Sequence, residues 1–120
     1  MQRKEKGKLG ENIAVKYLKR NKFKIIKINF YSRFGEIDII AFDKIAQEIV
    51  FIEVKARSGC SFGYPEEAVG RTKIRKMYKT AQIYLQENEV IKKYRFDCLA
   101  IELDFTRRKA IIRHYKGIAL

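Results

Sequence analysis

The chain has 120 residues, 47% hydrophobic and 12% aromatic, enough for one domain over residues 1–120 that buries a core without staples. Its formal net charge is +13, and fourteen of the 27 Lys and Arg fall within residues 1–60, so the basicity runs through the whole fold and predicts a polyanionic partner, nucleic acid ahead of membrane. Two cysteines, one histidine, no membrane-length apolar run and no signal-like start argue against a disulfide scaffold, a zinc set, a spanning segment and export, and predict a cytoplasmic protein with reduced thiols.

Residues 4–21 read as a helix, with Leu9, Ile13 and Tyr17 joined by Ala14 and Leu18 on one apolar stripe. Glu11 falls at the edge of that stripe and not on the wet face. Residues 23–31 read as a strand with Ile26, Ile28 and Phe30 alternating on one face, followed by a turn at 32–35 and a second strand at 36–42. A loop at 43–48 leads into a third strand, 49–57, apolar at both parities and therefore expected at the centre of the sheet. A Gly-rich loop at 58–64 ends at Pro65, and Pro65-Glu66-Glu67 fits a short helical start. Thr72 is expected to cap a longer helix reaching about residue 88, with Ile74, Met77, Tyr78, Ala81, Tyr84 and Leu85 as its buried stripe. Strands at 94–103 and 109–115, joined by a turn, complete the order α-β-β-β-α-β-β. That order predicts an α/β fold, a mixed five-stranded sheet flanked by helices.

The chemistry concentrates in two of these strands. Asp38 interrupts Ile37-Asp38-Ile39-Ile40, and Glu53 interrupts Phe51-Ile52-Glu53-Val54-Lys55. An unpartnered buried carboxylate costs several kcal/mol, so such groups pair or hold a metal. Glu53 and Lys55 are two residues apart and project from one face of a strand, and a hairpin brings Asp38 to the same place. Two hard oxygen ligands beside an ammonium suit Mg²⁺ or Mn²⁺ and phosphodiester hydrolysis. In this reading Asp38, Glu53 and the carbonyl of Val54 hold the metal, while Lys55 orients the attacking water or stabilises the pentacovalent phosphate. The competing reading is a structural ion pair of Lys55 with Glu53 or Asp38 on a half-exposed sheet. Lys73, Arg75, Lys76 and Lys79 open the second helix, where cations oppose the helix dipole unless an anion sits there. Together with Arg57 they are candidate phosphate contacts, with a solvated basic face as the alternative. Asp97 in Arg95-Phe96-Asp97 is assigned a structural role, and His114 none.

Gly35-Glu36-Ile37-Asp38-Ile39-Ile40-Ala41, Phe51-Ile52-Glu53-Val54-Lys55-Ala56-Arg57, Phe62-Gly63-Tyr64-Pro65-Glu66-Glu67-Ala68-Val69 and Arg95-Phe96-Asp97 resemble the bacterial YraN-like family. The resemblance runs from Gly10-Glu11 to His114-Tyr115. That family is assigned to the restriction-endonuclease-like superfamily, so the resemblance implies a PD-(D/E)xK nuclease core similar in layout to archaeal Holliday-junction resolvases. By position, Asp38 matches the motif aspartate, although Ile37 stands where many members carry proline. Glu53 and Lys55 match the Glu-x-Lys pair, and Glu11 matches a helix-one glutamate that resolvase-like members add at the metal. Branched DNA as substrate and a homodimer that cuts two strands follow from this resemblance alone. The expected function is a Mg²⁺- or Mn²⁺-dependent endonuclease acting on DNA. The alternative is a nucleic-acid-binding module that keeps the fold without turnover.

Overall fold

The computed structural model describes residues 3–58, 70–90 and 92–118. Helix α1 (Arg3–Arg20) precedes strands β1 (Phe23–Ser32), β2 (Gly35–Asp43) and β3 (Glu48–Ser58); helix α2 (Arg71–Glu87) then leads to β4 (Tyr94–Asp104) and β5 (Lys109–Tyr115). The sheet order is β1-β2-β3-β4-β5. All neighbours are antiparallel except β3 and β4, which run parallel. A parallel pair needs a crossover, and the connection containing α2 supplies it. The expected α-β-β-β-α-β-β order and mixed five-stranded sheet are therefore present. The turn expected at Pro65 and the thiol of Cys60 lie outside the described residues, while Cys98 is buried.

Each helix covers one face. Ala14 and Leu18 of α1 pack on Phe23, Ile39, Ala41, Val50, Ile52, Leu99 and Ile101. Met77, Ala81, Tyr84 and Leu85 of α2 pack on Ile37, Ile40, Ile49, Phe51 and Phe96. Because β3 contributes Val50 and Ile52 to one layer and Ile49 and Phe51 to the other, its run is apolar at both parities. Gly10 lets α1 sit close to β3: a Cβ at that position would overlap Ala56.

Three local expectations are corrected. In β1, Ile26 and Ile28 are both 40% exposed, while Phe23 is buried and Ile25 packs against the α1 layer. The alternation fails because the pairing with β2 shifts between Ile25 and Lys27, and because Asn29 adopts a left-handed φ of 56°. Helix α2 begins at Arg71 with Gly70 as an extended N-cap and no side-chain capping bond, so Thr72 lies inside the first turn. Tyr78, expected in the buried stripe, is exposed at its edge.

Candidate active site at the break in the β2–β3 ladder

The β2–β3 ladder runs from Asp43–Glu48 to Ile39–Ile52 and stops there. One step further the same register would set Asp38 opposite Glu53. Instead, the Val54 N–H donates to Asp38 Oδ2 at 2.7 Å, so a carboxylate replaces the carbonyl that a continued ladder would offer. The break coincides with a change of face in the β1–β2 hairpin. Ile39 packs in the α1 layer, but Ile37, two residues away, packs in the α2 layer beside its cross-strand partner Phe30. The left-handed Asn29, between the Ile28–Ile39 and Phe30–Ile37 pairs, sits at this change. Asp38 thus occupies a seam that the regular strand geometry on either side does not fill.

Glu53 is 3% exposed. Its Oε1 lies 3.5 Å from the Nζ of Lys55 and 3.5 Å from the Nζ of Lys73 on α2. Its Oε2 is buried without a hydrogen-bond partner, the one such side-chain atom among the described residues. Burial first, then the negative charge of Asp38, push the Glu53 carboxyl up to about 7, although Lys73 and Lys55 pull the other way. An orphaned buried oxygen costs about 1–3 kcal/mol, more when it carries charge, unless something else binds it. Two neighbouring carboxylates with a free lone pair suit a hard divalent cation. Among the described residues no three Asp, Glu, His or Cys side chains converge as a metal cage. A two-carboxylate set matches an ion that keeps most of its waters, such as Mg²⁺.

Glu11 reaches this seam from α1. It accepts a 3.4 Å hydrogen bond from Asn29 Nδ2. Burial, and then the charges of Asp38 and Glu36, raise its carboxyl above the usual range. The close packing of Gly10 on Ala56 sets the helix against β3 one residue earlier. Of the basic residues singled out, Lys73 touches the central carboxylate, Lys76 stands beside Gly35, and the Lys79 ammonium lies 5.3 Å from the centre of the Phe34 ring. Arg57 and Arg75 are exposed. That Lys73 would pair with Glu53 had no signal in the sequence, because it depends on where the crossover sets α2.

A second buried polar group lies away from the seam. Arg95 binds Asp97 through Nε and Nη2 at 2.9 and 3.1 Å, and also pairs with Asp43 and Glu48. His114 Nε2 is 2.7 Å from Asp97 Oδ2, its Nδ1 is 2.9 Å from the Tyr17 hydroxyl, and the Gly117 N–H donates to Asp97 Oδ1. Burial alone would raise Asp97, but the bonds from His114, Arg95 and Gly117 outweigh it and hold the carboxyl low. The structural role expected for Asp97 is present. His114, given no role from the sequence, is part of it; its partners are 17 and 97 residues away in the chain.

The uncharacterised protein family UPF0102 matches residues 10–101, most of the chain. The protein belongs to that family. It is 47% identical over 97 residues to a UPF0102 protein of Persephonella marina, covering 80% of this chain and 82% of the relative. It is 45% identical over 103 residues to one from Clostridium botulinum strain Loch Maree, covering 84% and 82%. It is 41% identical over 119 residues to one from Syntrophotalea carbinolica, covering 97% and 92%. The matched span of this UPF0102 protein contains Glu11, Asp38, Glu53, Lys55 and Lys73. Among its described residues, no helix is long and apolar enough to cross a membrane.

Proposed function

We infer that this UPF0102 protein is a divalent-metal-dependent endonuclease that hydrolyses DNA phosphodiester bonds. The observation that carries the reading is the ladder break: two carboxylates meet where the strands part, and the buried one keeps an unpartnered oxygen beside an ammonium. Asp38, Glu53 and the carbonyl of Val54 would hold Mg²⁺ or Mn²⁺, with Glu11 approaching from α1. The cation supplies charge neutralisation at the phosphate and a more acidic bound water. The Val54 N–H fixes the rotamer of Asp38, and burial keeps Glu53 from swinging into solvent. Lys55, held at Glu53 and 29% exposed on its side chain, presents an ammonium to the attacking water or to charge developing on phosphate. Lys73 adds a second cation at the same carboxylate, and its half-exposed position suits a backbone phosphate. The net charge of +13 supplies the longer-range attraction. The resemblance to resolvases favours branched DNA and a homodimer, two sites acting on two strands.

The second reading, a binding module without turnover, draws on one observation. Lys55 and Lys73 already counter the charge of Glu53, and no third acidic ligand joins the pair among the described residues. Cleavage of labelled single-stranded, duplex, flap and four-way-junction DNA and matched RNA, in Mg²⁺, Mn²⁺ or EDTA, separates the two. The nuclease reading expects metal-dependent cutting that falls about 10²–10³-fold in Lys55→Ala and is lost in Asp38→Ala. Salt-sensitive binding with no cutting, indifferent to Glu53→Ala, would establish the binding module.

A further inference from the structure

The β1–β2 turn beside the seam carries a group with no structural use. Tyr31 is 69% exposed, and no ring, cation or hydrogen bond among the described residues engages it. It is the cross-strand partner of Glu36, on the hairpin face opposite Phe30 and Ile37, which pack toward α2. Tyr31 and Glu36 therefore share that face, and Asp38 follows Glu36 by two residues, at the change of face. Two residues of strand span about 7 Å, which places Tyr31 close to the carboxylate seam.

The turn that presents Tyr31 is braced. Ser32 Oγ and Thr80 Oγ1 are 2.8 Å apart, tying the turn to α2, and the Phe34 N–H donates to Ser32 Oγ at 3.1 Å. Gly35, at φ 150°, closes the turn. The Arg33 guanidinium lies 4.8 Å from the centre of the Phe34 ring, and the Lys79 ammonium 5.3 Å from it. The turn thus separates two faces: Phe34, Lys76 and Lys79 lie toward α2, while the exposed Tyr31 ring stands on the other face beside Glu36. The cations suit backbone phosphate. Glu36 does not: its carboxylate repels phosphate, and can accept a hydrogen bond from the exocyclic amine of a base. The chemistry at the Tyr31–Glu36 face therefore matches a base, not a backbone.

A ring can stack on a base only if that base has left its own stack. We propose that Tyr31 is a stacking platform for an unpaired base next to the scissile phosphate, so that the protein selects nucleic acid with splayed or single-stranded nucleotides over continuous duplex. Arg33 at the turn and Lys79 on α2 hold backbone that passes around the turn, and Glu36 bounds the base site on the side of Asp38. This placement rests on the nuclease reading of the Asp38–Glu53 seam, but the stacking itself needs no metal.

The test is fluorescence anisotropy in EDTA with labelled single-stranded, flap and four-way-junction DNA beside a fully paired duplex of the same length. Wild type, Tyr31→Phe and Tyr31→Ala are compared, with circular dichroism to check the fold of this exposed position. The expected result is about a tenfold loss in Tyr31→Ala on the substrates with unpaired nucleotides, little change on duplex, and near-wild-type binding by Tyr31→Phe. The salt dependence on all substrates should stay as in wild type, because stacking releases no counterions. Equal affinities of wild type and Tyr31→Ala, or equal loss on duplex, would overturn the proposal. Cutting is assayed separately in Mg²⁺. Selective stacking without cutting removes the nuclease reading alone, and cutting that ignores Tyr31→Ala on every substrate removes the stacking platform alone.

Discussion

At the scale of single residues, the protonation of Glu53 is the sharpest handle on the site. The native carboxyl holds its proton to about 7, whereas an unfolded chain releases it near 4.5. Its contribution to stability is therefore complete below 4.5 and is lost as pH rises through about 7. Glu53→Gln keeps the shape and removes that cost. In urea unfolding at pH 8 without divalent ions the variant should be more stable than wild type, by an amount on the order of 1–3 kcal/mol. Under the nuclease reading it should also lose the stabilisation that Mg²⁺ or Mn²⁺ would give wild type. A less stable Glu53→Gln at pH 8 would mean that Glu53 works as an ion pair with Lys55 and Lys73. The sequence announced Asp38 and Glu53 because a charge inside an apolar strand is a local anomaly. It was silent on the orphaned Oε2, since hydrogen-bond satisfaction depends on neighbours that only the folded chain supplies.

At the scale of elements, the fit of α1 on β3 positions Glu11, and Gly10 permits that fit. Gly10→Val places a branched side chain against Ala56 and should destabilise the protein by about 1–3 kcal/mol in thermal or urea unfolding. Under the nuclease reading, cutting should fall even at temperatures where the variant stays folded, because Glu11 moves away from the seam. Unchanged turnover would leave Glu11 without a role at the metal. Helix α1 and the central strand were legible as periodic apolar patterns. Strand β1 was not: alternation placed Ile26 and Ile28 inside, but the shift after Ile25 and the left-handed Asn29 turn them outward. A bulge leaves the residue types of a strand unchanged while altering which side each one faces, so a period-two reading follows the wrong parity beyond it.

At the scale of the whole molecule, two charge systems act differently. The buried one, Arg95 with Asp97, Asp43 and Glu48, ties β4 to the end of β2 and the start of β3 and, through His114 and Tyr17, to β5 and α1. Hydrogen bonds hold Asp97 and Asp43 below the 3.8 of a free aspartate, against the upward push of burial. Their stabilisation is present above 3.8 and lost as pH falls through the lower native values. Asp97→Asn leaves Arg95 without its two-point carboxylate partner and should cost about 3–5 kcal/mol at pH 7. The gap between variant and wild type should narrow in acid, as followed by circular dichroism. The exposed system, the Lys and Arg excess, would govern association with the nucleic acid proposed above. Nucleic-acid affinity should fall steeply with salt, and Lys76→Ala and Lys79→Ala should each reduce the slope by about one counterion wherever they touch phosphate.

The sequence by itself determined the element order, the central place of β3, the basic character and the two carboxylates with their lysine. Each of these is written in local pattern: periodicity, composition, or a charge where an apolar residue belongs. Tertiary structure decided the rest. It ended the β2–β3 ladder at Asp38, brought Lys73 from α2 to Glu53, drew His114 and Tyr17 to Asp97, and left Tyr31 facing outward on a braced turn. These depend on contacts between residues far apart in the chain, whose distances are set by how strands twist, bulge and cross over. No window of sequence contains both partners of such a contact.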